Sequence, residues 1–375
     1  ISMDVFEKVS GFFKKKDVDI DTNVCKLHYR ITAALFFASS LAGLTNHYFG
    51  EPISCNFNDK DINPDLAKDY CWIHGSNYFP DVYNGHIRCA VDPMGRKGQD
   101  VSDTSYYQWV TVVLFLQAVL CIFPYKIWKL NEGGLISSFQ TNGVSMPQMD
   151  EDELNFSSNA QAMSRHYLNL RGRYKEYFIK FFLLEITFLV LSWGHFFFID
   201  WFLNGQFLGY GSSAVQYYGL SLEERVNYAN PLCTTFPTEV SCTIPFVGPS
   251  GYEASLNSLC VLSQNIVNEK MYVLIWFWLV FLIVISSLNF VVRLAYIAIP
   301  SYRAAFVSQK VSSYQSRETK HLVTNRLKPH DAFILGQLGK NINPGLFDEL
   351  VHHILRSLET LGDDEEKVLV TPTPC

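Results

Sequence analysis

Residues Met271 to Val292 read MYVLIWFWLVFLIVISSLNFVV, 22 positions without a charged side chain. A helix needs about 20 apolar residues to cross the hydrocarbon core of a bilayer. A core helix of a soluble protein keeps a polar stripe over such a length, and this stretch has none. It therefore predicts a transmembrane span. Three more stretches obey the same rule with less purity: Ile31 to His47 (ITAALFFASSLAGLTNH), which Gly50 closes, Tyr106 to Tyr125 (YYQWVTVVLFLQAVLCIFPY), and Tyr177 to Leu203, which carries Lys180, Glu185, His195 and Asp200. None reads as a cleaved signal peptide, because the first begins about 30 residues in and no small-residue cleavage site comes after it.

Composition agrees. Of 375 residues, 48% are hydrophobic, 15% aromatic and 18% charged, against about 25% charged in an ordinary soluble domain. The net charge of −6 argues against a nucleic-acid partner. The apolar content excludes disorder over most of the chain.

Orientation is set by lysine and arginine near the span ends. Within 15 residues of the spans, one side holds eleven, among them Lys16, Lys26, Arg30, Lys126, Arg171 and Arg293, and the other holds four, Lys60, Arg96, Lys97 and Lys270. The richer side is predicted to be cytoplasmic. The expected order is an N-terminal segment 1–30, a first span 31–47, an outer loop 48–105, a second span 106–125, an inner loop 126–176, a third span 177–203, a second outer loop 204–270, a fourth span 271–292 and a cytoplasmic domain 293–375. Both termini then lie inside, at a plasma membrane. The sequon at Asn155 falls on the inner side and is not expected to be glycosylated.

Cysteine usage supports this order. Six of the nine cysteines fall in the outer loops: Cys55, Cys71 and Cys89 in the first, Cys233, Cys242 and Cys260 in the second. Disulfides persist in an oxidising exterior, and six cysteines permit fifteen connectivities that spacing cannot choose among. No CxxC occurs, and no zinc site is expected. The outer loops hold 14 acids against 7 bases. That vestibule would favour cations and is a candidate Ca²⁺ site between subunits, with a merely solvated acidic surface as the plainer reading. No other cofactor is expected.

Tyr106-Tyr107-Gln108-Trp109-Val110, opening the second span, resembles the YYQWV signature of the innexins, the gap-junction proteins of invertebrates. Gly50-Glu51-Pro52-Ile53-Ser54-Cys55 and Tyr70-Cys71-Trp72-Ile73-His74 are similar to the first outer loop of insect members. Gly248-Pro249-Ser250-Gly251, Leu259-Cys260-Val261-Leu262 and Asn265-Ile266-Val267-Asn268-Glu269-Lys270 resemble the second. Trp276-Phe277-Trp278 resembles the start of their fourth helix, and Gln337-Leu338-Gly339-Lys340-Asn341 a segment of their C-terminal domain.

The resemblance covers the chain from about Met3 to about residue 350. It implies an all-α membrane protein of four transmembrane helices, with disulfide-bridged outer loops and a helical cytoplasmic domain. Such subunits assemble as a homo-oligomer, an octameric ring around a large pore, within membrane lipid. The rings dock with those of an adjacent cell, and hetero-oligomers with other innexins are a further implied partnership. The resemblance also implies the bridges Cys55–Cys260 and Cys71–Cys242. Cys89 and Cys233 depart from the family's two cysteines per loop. A third bridge, Cys89–Cys233, is expected because both face the oxidising side and no other partner is available.

In the N-terminal segment, Val5, Phe6, Val9, Phe12 and Phe13 recur at helical spacing, giving an amphipathic helix. The resemblance implies that this segment, with Met3, Asp4, Phe6 and Glu7, folds into the pore and forms its funnel. A helix lying on the membrane face is the alternative. Pro124 removes a backbone donor at the inner end of the second span and reads as a helix stop or, less commonly, a gating kink. Leu346, Phe347, Leu350, Val351, Ile354, Leu355 and Leu358 predict a helix packed on the inner loop. The run Asp363-Asp364-Glu365-Glu366 reads as disordered.

The residues support a large-pore channel subunit, either docking between cells or working as a hemichannel alone. A transporter lacks the expected inverted repeat or broken helix. A receptor is a more distant reading, and no GxSxG, HExxH or phosphate-loop motif suggests an enzyme.

Overall fold

The computed structural model describes residues 18–56, 63–74, 77–78, 80–83, 86–91, 102–103, 105–141, 153–227, 230–247, 251–311 and 316–370. In chain order these give α1 (Ala33–Phe49), β1 (Ser54–Asn56), α2 (Pro64–His74), β2 (Asn77–Tyr78), β3 (Pro80–Tyr83), β4 (His86–Val91), β5 (Ser102–Asp103), α3 (Val110–Glu132), α4 (Glu153–Asn169), α5 (Arg171–Phe202), α6 (Tyr210–Gly219), α7 (Pro231–Thr235), β6 (Glu239–Val247), β7 (Glu253–Val261), α8 (Ser263–Ala298), α9 (Pro300–Ser308), α10 (Ser316–Asn325), α11 (Pro329–Asn341) and α12 (Pro344–Val370), with shorter helical turns between them. The chain divides into two compact units, one of residues 1–26, 123–189 and 285–375, the other of 27–122 and 190–284.

Among the described residues three helices are long and apolar enough to cross a membrane: α3, α5 and α8, of 23, 32 and 36 residues. Each outruns its expected span. α8 starts at Ser263, ahead of Met271, because Gln264, Asn265 and Asn268 are buried and bonded within its first turns. α3 starts at Val110, four residues after Tyr106, because Ser105–Gln108 forms a 3₁₀ turn instead. It then continues through Pro124 to Glu132, so the proline is not a helix stop. α1 has 17 residues and is preceded by a short α-turn, Asn23–Lys26, and a π-helical turn, Leu27–Thr32. The Thr32 hydroxyl donates to the Leu27 carbonyl at 3.0 Å, five residues back, as the wider turn allows.

In the unit of residues 27–122 and 190–284, polar groups tie α1 to its neighbours. Ser40 Oγ donates to the Thr111 carbonyl at 2.8 Å. Asn46 Nδ2 donates to Gln264 Oε1 at 2.8 Å, and Trp278 Nε1 to Thr32 Oγ1 at 2.9 Å. Gly211 lies so close to α8 that a Cβ there would fall 2.1 to 2.8 Å from the Trp276 ring. Asp200 proves to be a cap: Oδ1 accepts from Phe207 N at 2.9 Å and Leu208 N at 2.8 Å, holding the turn after α5.

The all-α expectation holds for the long helices and fails for the outer loops. There a five-stranded sheet forms in the order β1-β7-β6-β2-β5, and β3 pairs with β4 separately. β6 and β7 make an antiparallel hairpin nine residues deep. Neither strand shows a clean two-residue alternation in sequence, since Ser241, Thr243, Pro245, Ser255, Asn257 and Ser258 dilute it.

In the other unit the helical spacing of residues 346–358 is realised. Leu346, Phe347, Leu350, Val351, Ile354 and Leu358 are buried, and α12 packs on α4 of the inner loop. Leu355 is half-buried. The helix continues to Val370 and takes in Asp363–Glu366, unlike the expected disorder; leucine, glutamate and lysine around that run are strong helix formers.

Candidate functional site

The loops expected on the outside, 48–105 and 204–270, meet at a bridged platform. Cys55 on β1 sits opposite Cys260 on β7 in the antiparallel register, with Cα atoms 4.0 Å apart, and the two are disulfide-bonded across 205 residues of chain. Cys71 on α2 is bonded to Cys242 on β6, Cα to Cα 5.8 Å, across 171 residues. Both bridges join the first outer loop to the second. Closing loops this long removes much freedom from the unfolded chain, and losing such a bridge costs about 2–5 kcal/mol. Around them Ile53, Ala67, Tyr107, Val240, Ile244 and Leu262 form a buried apolar cluster, with Tyr70 and Trp72 packed against it.

The sulfur atoms of Cys55, Cys71 and Cys260 lie within 4.8 Å of one another. All three are spent in disulfides, so the trio offers no thiolate to a metal. Cys233 is also disulfide-bonded. The side chain of Cys89 lies outside the described residues, so the pairing Cys89–Cys233 stays an expectation.

The motif Tyr106–Val110 acts as the clasp of this platform. The Tyr106 hydroxyl donates to the Thr235 carbonyl of α7, in the second loop. The Tyr107 hydroxyl at 3.3 Å and Gln108 Nε2 both donate to the Trp72 carbonyl of α2, in the first. Tyr107 also packs on the Trp72 ring, centroids 4.7 Å apart. Val110 is fully buried, whereas Trp109 is 59% exposed. Four of the five motif residues therefore build inward, and one points out.

The start of α8 completes the clasp. Asn265 Nδ2 donates to the Pro237 carbonyl at 2.8 Å, Leu262 N to the Thr238 carbonyl at 2.7 Å, and Ser263 Oγ to the Glu51 carbonyl. Lys68 pairs with Glu51 at 3.1 Å. Elsewhere in the second loop, outside the bridged core, Ser221 holds the Glu224 carboxyl below its ordinary range through backbone and hydroxyl hydrogen bonds.

The unit of residues 1–26, 123–189 and 285–375 holds a second cluster of interest. Met3, Asp4, Phe6 and Glu7, the expected funnel residues, lie outside the described residues. The chain just beyond that segment is anchored. Asn341 Nδ2 donates to the Asp19 carbonyl at 2.9 Å and Asn341 Oδ1 accepts from Asp19 N at 2.6 Å. Lys26 pairs with Asp19 at 2.6 Å. Burial alone would raise the Asp19 carboxyl; the Lys26 hydrogen bond and charge outweigh it and hold it below its usual value. Asn341 ends the Gln337–Asn341 segment picked out by resemblance, so that segment pins the base of the N-terminal stretch. Within it Gly339 is required by space, since a Cβ would meet Phe347 and Lys310 at 3.0 Å. Burial, helped by the charge of Lys340, lowers the Lys310 amine to about 8, and it donates to the Gly336 carbonyl.

Sequence reasoning missed two partnerships in this unit. Glu185 accepts from Arg293 Nε at 2.7 Å and Nη2 at 2.8 Å, with Asn289 Nδ2 at 3.2 Å. Arg171 reaches the buried Asp331 at 3.0 Å, and the Tyr167 hydroxyl donates to the Asp331 carbonyl at 2.9 Å. The cue for the first was a charged residue inside an apolar run.

Comparison with known proteins agrees with the motif reading. The innexin family model matches residues 21–358. The chain is 34% identical to innexin inx2 of Drosophila melanogaster, over 96% of this chain and 97% of that one. It is 35% identical to innexin inx2 of Schistocerca americana, over 95% and 98%, and 29% identical to innexin shaking-B of Drosophila melanogaster, over 95% of each. With a bridged loop platform, span-length helices and a family match over nearly its whole length, the chain belongs to the innexins, a family of gap-junction channel subunits.

Proposed function

We propose that the chain is a four-span subunit of a large-pore channel that passes ions and small molecules, with both termini cytoplasmic and the platform facing outward. α1 serves as the first span, extended at its start by the π turn; its hydrogen bonds to Thr111, Gln264 and Trp278 support this reading. Identical subunits form a ring, octameric by family resemblance, and two rings dock between cells. The observation that carries the proposal is the pair of disulfides joining the two outer loops into one sheet-based platform. Docking is favoured by surfaces that need little ordering on association, and such bridges supply that.

The test is junctional conductance between paired cells that both express the chain, with dye uptake by single cells recorded alongside. Current between cells supports the docking channel. Absence of current and of uptake, with protein at the surface, overturns it. Uptake without junctional current selects the second reading, a hemichannel that does not dock.

A further inference from the structure

Two cavities adjoin in the unit of residues 1–26, 123–189 and 285–375, at the ends of α3 and α5 that the charge distribution assigns to the cytoplasmic side. One, of about 260 Å³, has a half-polar lining that includes Arg173, Glu132, Glu176, His166, Ser138 and the turn Gly133-Gly134. The other, of about 350 Å³, is apolar and is walled by Phe123, Pro124, Ile127, Leu183, Leu184 and Thr187. Trp128, Asn131 and Lys180 line both. A polar chamber thus opens beside an apolar groove on the flank of two span-length helices.

The polar chamber carries unused donors. Trp128 and Tyr177 are 3% and 5% exposed, and neither Trp128 Nε1 nor the Tyr177 hydroxyl has a hydrogen-bond partner among the described residues. Leaving a buried donor unmet is costly, so the site suits a ligand rich in acceptors. Its acids are already occupied. Glu132 accepts from the backbone N–H groups of Gly134 at 2.8 Å and Ile136 at 3.1 Å, and Glu176 pairs with Lys180 at 2.7 Å. His166 is engaged with Ser138 at 3.1 Å. The Arg173 guanidinium has no ion pair among the described residues. One uncommitted cation and two buried donors match a phosphate, which accepts several hydrogen bonds and prefers arginine.

We propose that this double cavity is a site for an anionic phospholipid, its phosphate held by Arg173, Trp128 and Tyr177 and one acyl chain lying in the groove between Phe123 and Thr187. A free phosphate compound would fill the polar chamber alone. The shared residues Trp128, Asn131 and Lys180 give the two chambers one continuous wall, which is the geometry an amphiphile needs. The site would serve a docked channel and an undocked ring alike.

The experiment uses the full chain reconstituted in nanodiscs of equal parts phosphatidylcholine and phosphatidylglycerol, with retained lipid read by native mass spectrometry after transfer to detergent. Arg173 and Thr187 are exposed, so Arg173→Gln and Thr187→Trp are compatible with folding, which size exclusion checks; Lys129→Gln, on α3 outside both cavities, is the control. The expected result is retained phosphatidylglycerol in the wild type and in Lys129→Gln, with about a tenfold loss in both Arg173→Gln and Thr187→Trp. No retention in the wild type, or equal retention in Arg173→Gln, overturns the site. If Arg173→Gln loses lipid but Thr187→Trp does not, and soluble glycerol phosphate displaces it, the ligand is a free phosphate compound and the lipid proposal falls.

Discussion

Glu185 on α5 and Arg293 on α8 form a two-point ion pair, 2.7 and 2.8 Å, between side chains only 3% and 10% exposed. Arg293 also lies over the Phe333 ring at 5.1 Å, so one guanidinium joins two long helices to α11. A buried pair gains little over a well-packed apolar substitute, but breaking one half leaves an uncompensated charge. Glu185→Ala should therefore cost about 3–5 kcal/mol, while the double replacement Glu185→Met with Arg293→Met should recover most of it. Thermal unfolding of the purified protein in detergent measures both; equal damage from the single and double variants would exclude a charge-pair origin.

The YYQWV motif predicts a split within five residues. Gln108→Ala removes one of two donors to the Trp72 carbonyl and should destabilise the platform by about 1–3 kcal/mol. Trp109→Ala removes an outward-facing ring and should leave the platform's stability unchanged. Resistance of the disulfides to mild reductant, read by alkylation and mass shift, distinguishes them. Equal sensitivity in the two variants would mean that the motif is not a clasp.

Gly211 supports a steric prediction with an internal control. Alanine there drives a methyl group into the Trp276 ring, which is rigid, and should cost about 1–3 kcal/mol. Gly194, in α5, has nothing within 4 Å of a built Cβ, so Gly194→Ala should be neutral or stabilising by up to about 1 kcal/mol. Melting temperatures of the two variants side by side test the contrast.

Lys310 predicts a pH dependence. Its amine titrates near 8 when folded, because burial and the nearby Lys340 disfavour the charge, and near its ordinary value of about 10.4 when unfolded. Below pH 8 both states carry the proton and the penalty is fully present. Between about 8 and 10.4 the unfolded chain binds more protons, so this residue's contribution to stability rises with pH. Lys310→Met should flatten that rise relative to wild type in denaturation series across the window. An unchanged slope would show that Lys310 is not its source.

How far these features were legible before the structure differs by element. The four apolar stretches and the helix at 346–358 were read directly, because a period of 3.6 and a bare apolar run are local signals. The sheet was not, since β1 and β2 pair with β7 and β6 far along the chain, and the polar positions of the β6–β7 hairpin hide its alternation. For Glu185, nothing local in the sequence pointed to Arg293, which lies 108 residues further on. The inter-loop bridges came from family resemblance, not spacing. Asn341 was noticed as part of a motif, yet its task, holding Asp19, appears only when the ends of the chain are brought together.

The close approach of the sulfurs of Cys55, Cys71 and Cys260 makes the two bridges chemically interdependent. Disulfides rearrange when a thiolate attacks a neighbouring bridge, and here a thiol released at Cys55, Cys71 or Cys260 has a sulfur of the other link within 4.8 Å. A single cysteine-to-serine change would thus liberate a nucleophile beside an intact bond rather than delete one link cleanly. Shuffled isomers are the expected product, and only paired replacement of both members of a bridge reports what that bridge contributes.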